Sequence, residues 1–227
     1  MYSNIAGFLV AVAVATPAIA NDYKPAGELE QNSGKGYTST KVFSPGMRFP
    51  IESTPAFANS QVYRPGGMNG GGGSQCDLKN YSIPWTDNFC EIRPGRKTPL
   101  CPTGFGHQGQ DIRPATCKAG LHWAVAAEDG IITNIGSYSV TLQGSSGSIF
   151  RYLHLDMRNL RVQTLDRVKR GDQIGQVSNF FGGASTTIHL HFEIKQAVVV
   201  GGKQIVTFVP PYTSLVASYE NLKAGRP

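Results

Sequence analysis

A chain of 227 residues that is 40% hydrophobic can hold one ordinary domain with a long tail or two small ones, and one globular domain is the expectation. Its net charge of +6 suits an anionic polymer, which in a bacterium includes the cell wall with its free carboxylates. Beyond the first 20 residues no segment is apolar over the length a helical bilayer span needs.

Residues 1–20 carry no Asp, Glu, Lys or Arg, run apolar from Ile5 to Ala15 and close on Pro17-Ala18-Ile19-Ala20, a small-x-small cleavage pattern. They read as a secretory signal peptide. The missing N-terminal Lys or Arg leaves an uncleaved anchor as the competing reading, but the apolar stretch is shorter than the roughly 20 residues of a span. Residues 21–75 show no sustained period of 3.6 or 2 and end in Gly70-Gly71-Gly72-Gly73-Ser74, an irregular lead-in followed by a flexible linker. Within it, Phe57 to Arg64 is the only stretch apolar enough to dock on something. Cys76, Cys90, Cys101 and Cys117 follow at gaps far wider than those of a metal knuckle, so an exported chain is expected to pair them as disulfides.

From residue 76 to 227 the texture becomes short β-prone runs cut by Gly, Pro, Asn and Asp: Trp123 to Ala127, Gly130 to Ile135, Ser139 to Gln143, Ile149 to His154, Gln173 to Val177, Ile188 to Ile194, Val198 to Val200 and Gln204 to Val209. Gly201-Gly202 suits a hairpin turn, and Thr213 to Leu222 reads as a short closing helix after Pro210-Pro211. Many short strands without a long amphipathic helix predict an all-β fold, a compact antiparallel domain. A hairpin between the segment ending near Cys90 and the strand starting at His107 would pair Cys90 with Cys101 and Cys76 with Cys117.

Three strings carry the chemistry: Gly106-His107-Gln108-Gly109-Gln110-Asp111, Tyr152-Leu153-His154-Leu155 and His189-Leu190-His191-Phe192-Glu193. They hold four of the five histidines, with a carboxylate, Asp111, at short spacing from the first, the inventory of a catalytic zinc centre. In Ile188 to Ile194 the apolar residues alternate with His189, His191 and Glu193, which puts the polar three on one face. The two imidazoles, roughly 7 Å apart along a strand, can share a metal or flank one. His107 and Asp111 would lie about 13 Å apart on a straight strand, so the backbone must bend, and Gly109 is placed to supply the bend. His154 sits in another strand-like run, with Tyr152 as its alternation partner. His122 has no companion at ligand spacing and reads as a packing residue.

These strings resemble those of the lysostaphin-type, LytM-domain zinc metallopeptidases, as do Val125-Ala126-Ala127-Glu128-Asp129-Gly130 and Val168-Lys169-Arg170-Gly171-Asp172-Gln173-Ile174-Gly175, over roughly Tyr81 to Val209. The resemblance implies that one Zn²⁺ per chain is bound by His107, Asp111 and His191, with His154 and His189 as the catalytic imidazoles. Glu193 and Tyr152 would orient neighbours or meet substrate. It implies a peptidoglycan endopeptidase; the disulfides and the export signal lean toward the periplasm, where the bond would be the D-alanyl to diaminopimelate cross-link, with glycyl-glycine bridges second, and a periplasmic or secreted monomer is expected. No nucleic-acid partner and no stable membrane insertion are expected. The rival readings are a non-enzymatic regulator of a cell-wall amidase and a zinc protease acting on secreted proteins. Some relatives are kept latent by an asparagine from the N-terminal region that takes the open zinc position. Asn59, in the apolar strip Phe57 to Tyr63, is the candidate here, the alternative being that the strip merely packs on the outside of the β domain. Two departures from the family pattern are Ser185-Thr186-Thr187-Ile188 before the last string and a longer, more basic loop from Cys90 to Cys101 carrying Arg93, Arg96 and Lys97.

Overall fold

The structure, a computed structural model, describes residues 22–227, so the expected signal peptide lies outside the described residues. In chain order the elements are β1 (Phe57–Ala58), β2 (Gln110–Arg113), β3 (Trp123–Val125), β4 (Gly130–Ile135), β5 (Ser139–Gly144), β6 (Ile149–Leu153), β7 (Arg167–Val168), β8 (Gln173–Gln176), β9 (Phe180–Phe181), β10 (Ala184–Ser185), β11 (Leu190–Val200), β12 (Lys203–Val209) and the helix α1 (Tyr212–Lys223). The fold is therefore antiparallel β with one short C-terminal helix, as the texture of the sequence predicts. The runs Ile188 to Ile194 and Val198 to Val200 merge into the single long strand β11, which turns at Gly201-Gly202 into β12.

Eight strands form one sheet in the order β1-β2-β11-β6-β5-β4-β7, with β12 also on β11. One edge of β11 is shared: β2 pairs with residues 190–192 and β12 with 194–200. The opposite edge pairs residues 191–195 with β6. This arrangement puts β11 between β2 and β6 and so gathers all three histidine-bearing strings. Its inward residues Leu190, Phe192 and Ile194 are fully buried beside Phe150 and Tyr152 of β6, which is the apolar half of the period-2 alternation.

The lead-in is irregular, yet part of it belongs to the same core. Phe43, Met47, Phe49, Ile51, Ala56 and Ala58 are buried with Trp85 and with Tyr212, Leu215 and Tyr219 of α1. Trp85 lies with its ring centroid 4.5 Å from that of Tyr219 and 5.8 Å from that of Phe49, and its indole N–H donates to Ala56 O at 2.9 Å. Buried aromatics with satisfied polar atoms dominate such packing. The helix follows Pro210-Pro211, where the chain cannot extend a ladder, and buries residues 212, 215 and 219 along one stripe. The Gly-rich stretch folds back on itself, with Gly67 N–H donating to Arg64 O and Asn69 N–H to Val62 O, both at 2.9 Å. Disulfides join Cys76 to Cys117 and Cys90 to Cys101. The segments expected to form a hairpin do meet, through Cys90 N–H to His107 O at 3.0 Å and His107 N–H to Glu91 O at 2.8 Å.

Candidate metal centre

Register assembles the site. His191 on β11 pairs with Asp111 on β2 and with Leu153 on β6, one residue before His154. Directly opposed residues of neighbouring strands face the same side of a sheet, so Asp111 and His191 project together into the cleft. Gly109 is required here for space: a Cβ at that position would lie 2.3 Å from Phe192 O and 3.0 Å from His191 Nε2. Gly106 supplies the turn, with φ 141° and Cys90 O only 2.7 Å from where a Cβ would sit. His154 follows the end of β6 at φ 67°, an uncommon conformation for a residue with a side chain. That turn takes its imidazole to the cleft, whereas continued alternation would keep it on Tyr152's side. Strained backbone of this kind concentrates at functional sites.

His107, Asp111 and His191 are all buried, and their ligand atoms lie within 4.8 Å of one another. His107 Nε2 is 2.8 Å from His191 Nδ1 and 3.3 Å from Asp111 Oδ1, and His191 Nδ1 is 2.9 Å from Asp111 Oδ1. Ligands about 2.0–2.1 Å from a tetrahedral zinc ion are about 3.3 Å apart, so this triangle needs adjustments of only a few tenths of an ångström. The outer nitrogens fix the tautomers. His107 Nδ1–H donates to Asn88 O at 2.9 Å, and His191 Nε2–H donates to Glu193 Oε1 at 2.9 Å. The two inner nitrogens, His107 Nε2 and His191 Nδ1, then face each other as lone pairs, an arrangement that a cation between them would relieve. The donor set therefore fits zinc, and each imidazole has the outer partner that metal-bound histidines usually have.

The carboxylate is held just as firmly. Asp111 Oδ2 accepts from Asn88 Nδ2 at 2.8 Å and from Arg93 Nη2 at 2.9 Å, leaving Oδ1 for the histidines. Asn88 Oδ1 in turn accepts the Asp111 N–H at 3.1 Å. Burial pushes Asp111 up, but His107, His189 and Arg93 hold it well below the usual carboxylate range. Burial pulls His107 down to about 4 despite Asp111, so that the ring is neutral as a ligand must be. Burial lowers His191, but the carboxylates of Asp111 and Glu193, one against each ring nitrogen, outweigh it and shift the ring upward; it is the neutral ring that offers Nδ1 as a lone pair. Arg93 also meets the fully buried Glu91 at 2.8 Å, while burial pushes the Glu91 carboxyl up to about 7.

His154 and His189 flank the triangle, with ring centroids 4.6 Å apart. His154 Nδ1–H donates to Phe180 O at 3.0 Å and His189 Nδ1–H to Thr187 O at 2.8 Å, so both present an unprotonated Nε2. Burial lowers both, His154 further through the neighbouring rings of His189 and His191, and both are neutral bases near pH 7. The lead-in braces this wall: the Thr187 hydroxyl donates to Gln61 Oε1 at 2.5 Å, and Ile188 N–H donates to Gln75 Oε1 at 2.7 Å. The cleft in front of the site has a volume of about 700 Å³.

Two expected placements are corrected. Tyr152 is fully buried on the core side of β6, where its hydroxyl accepts the Ala127 N–H at 2.8 Å, and it is Arg151 and Leu153 that face the cleft. Strand alternation is the reason, since Tyr152 pairs with the inward Phe192. Asn59 is not beside the ligands either: its Nδ2 donates to Asn80 O at 2.8 Å and its Oδ1 accepts from Arg113 Nε at 3.2 Å. The β1–β2 pairing directs it toward the buried Arg113, and Gln61, two residues on, lines the cleft. Glu193 bridges His191 and Arg151, with Oε2 accepting from Arg151 Nη1 at 2.6 Å. His122 contacts Thr116 Oγ1 at 2.7 Å and takes no part in the site. Asn88, Gln61 and Gln75 had no local sequence signal, because each acts through a hydrogen bond to a residue distant in the chain, and Arg93 stood out only for the charge of its loop, not for its bond to Asp111.

Residues 105–205 match the model of peptidase family M23. No curated protein matches the chain in sequence. Among solved structures, a candidate glycyl-glycine endopeptidase lytM from Ruminococcus gnavus is 22% identical, with 76% of this chain and 60% of that one covered and a TM-score of 0.47. The catalytic domain of the antimicrobial peptidase lysostaphin from Staphylococcus simulans is 25% identical, with 52% and 80% covered and a TM-score of 0.35. A zinc-containing peptidase from Vibrio cholerae is 28% identical, with 50% and 33% covered and a TM-score of 0.32. The chain thus spans 60% of the length of the Ruminococcus protein and a third of the Vibrio one.

Proposed function

We propose that this chain, whose residues 105–205 match the model of peptidase family M23, is a member of that family and a zinc endopeptidase that hydrolyses peptide cross-links of bacterial peptidoglycan, the D-alanyl to diaminopimelate link first. The observation that carries the reading is the buried triangle of His107, Asp111 and His191 with two neutral imidazoles beside it. Zinc, when bound, supplies a Lewis acid that acidifies water and polarises a scissile carbonyl. The chain's own residues supply the rest. Asp111 Oδ1 with the inner nitrogens of His107 and His191 would hold the ion, and two neutral imidazoles with one carboxylate leave it a net positive charge. His154 and His189 move the protons: one unprotonated Nε2 takes a proton from the attacking water, and that proton, carried on Nε2 of the imidazolium so formed or passed to the other ring, is what stabilises the developing oxyanion or goes to the leaving amine. The carbonyls of Phe180 and Thr187 keep these nitrogens aimed inward. Glu193 steadies the outer nitrogen of His191.

The two disulfides support an oxidising compartment, the periplasm or the exterior. Among the described residues no helix is long and apolar enough to cross a membrane. Metal analysis together with digestion of purified sacculi, followed by chromatography, tests the reading. The expected result is zinc near one per chain and loss of cross-linked dimers. His107→Ala, Asp111→Ala and His191→Ala should lose zinc, whereas His154→Ala and His189→Ala should keep it and lose turnover by about 10²–10⁴-fold. A zinc-loaded, folded protein that leaves sacculi intact would overturn the peptidase assignment, and a metal-free His189→Ala beside a zinc-bound His191→Ala would overturn the roles.

A further inference from the structure

The cleft carries three arginines, and two of them are committed. Arg93 holds Asp111 and Glu91 at 2.9 and 2.8 Å, and Arg151 holds Glu193 at 2.6 Å. Arg96 is exposed at the cleft wall, and among the described residues no carboxylate lies within 4.0 Å of it. Its backbone is nonetheless fixed. The loop is closed by Cys90–Cys101, Arg96 O accepts from Gly106 N–H at 2.8 Å and from the Thr98 hydroxyl at 3.3 Å, and Lys97 O accepts from Gln108 Nε2 at 2.9 Å. Gly106 and Gln108 flank His107, so the backbone that carries the unpaired guanidinium is tied to the segment of the candidate metal ligand by two hydrogen bonds.

We propose that Arg96 is a specificity-determining residue that binds a free carboxylate of the peptide substrate near the scissile bond. The proposal rests on the peptidase reading above. A cation carried on a fixed backbone at the rim of a cleft whose other arginines are already neutralised attracts an anionic group, and a guanidinium fork matches a carboxylate in shape. The substrate class this selects is an acidic peptide with a carboxylate close to the cleaved amide, in preference to the amidated form.

The test uses the full zinc-loaded chain and two soluble cross-linked peptide dimers that differ only in whether the carboxylate next to the scissile amide is free or amidated. Dissociation constants by calorimetry and KM by chromatography are measured for both. The expected wild-type preference for the free carboxylate is about threefold to tenfold, the range for an exposed charge-assisted pair. Arg96→Ala should bring the ratio to one, Arg96→Glu should invert it and Arg96→Lys should keep part of it. Lys97→Ala removes the same charge from the same loop and should leave the ratio as in the wild type. A wild-type ratio of one in binding, an Arg96→Ala ratio equal to wild type, or an equal collapse in Lys97→Ala overturns the proposal. Absence of turnover with both dimers overturns the peptidase reading instead, and the binding ratio still decides the role of Arg96.

Discussion

Replacing Asn88 by alanine should weaken zinc binding without touching a ligand. The side chain donates to Asp111 Oδ2 at 2.8 Å and accepts the Asp111 N–H at 3.1 Å, and it is fully buried. The first bond is to a carboxylate and is worth about 1.5–3 kcal/mol, and the second is neutral and worth about 1 kcal/mol, so Asn88→Ala should cost about 2.5–4 kcal/mol of stability. The His107 ring keeps its partner, because that bond goes to the backbone carbonyl of residue 88. Loss of an outer partner of a metal ligand typically costs 10- to 100-fold in affinity. Arg93 still grips Oδ2 at 2.9 Å, which puts the expected loss in the lower half of that range, about 10- to 30-fold. Competition with a chromogenic chelator gives the zinc dissociation constant, and thermal unfolding with and without zinc separates loss of fold from loss of metal. A folded Asn88→Ala protein whose zinc dissociation constant is within threefold of wild type would refute the reasoning.

Gly109→Ala should also weaken zinc binding and destabilise by roughly 1–3 kcal/mol, since its Cβ would press on Phe192 O at 2.3 Å; Gly71→Ala, with nothing within 4 Å, is the neutral control in the same melts. Opening the disulfides by paired serine substitutions should cost about 4 kcal/mol for Cys76–Cys117, which closes a separation of 41, and about 3 kcal/mol for Cys90–Cys101, which closes 11, as read by denaturant unfolding. The reverse ranking would contradict the chain-entropy account. Burial pushes Asp87 up from 3.8 to about 6, against the backbone N–H donors of Phe89 and Gly27. Its native form therefore binds a proton more tightly than its unfolded form between pH 4 and 6, so its stabilisation is full below about pH 4 and is lost as pH rises through 6, by at most about 3 kcal/mol. Asp87→Asn should remove that slope, and an unchanged difference between denaturation at pH 4.5 and at pH 6.5 would rule it out.

Local patterning alone established much of this protein. Period-2 alternation in Ile188 to Ile194 put His191 and Glu193 on one face and Leu190, Phe192 and Ile194 on the other, because successive side chains of a strand point to opposite sides. Turn residues bounded β4, β5 and β12 to within a residue, and the Pro210-Pro211 pair announced α1. The histidine strings named the residues that meet in the cleft. Tertiary structure decided everything that depends on pairing between distant segments. Only the register of β11 against β2 and β6 sets His191 opposite Asp111, and only the turn at His154 takes it off the face it would share with Tyr152. The outer hydrogen bonds of His107 and His154 come from Asn88 and Phe180, 19 and 26 positions away, and the brace on Thr187, which holds His189, comes from Gln61, 126 positions away. Residues 43–58 lack any period because they are neither strand nor helix for most of their length, so their burial against Trp85 and α1 had no one-dimensional signature. A repeating pattern reports which way a side chain points from its own element. Which group it meets there is fixed by chain packing, and that is where the candidate metal site acquired its outer hydrogen bonds and its tautomers.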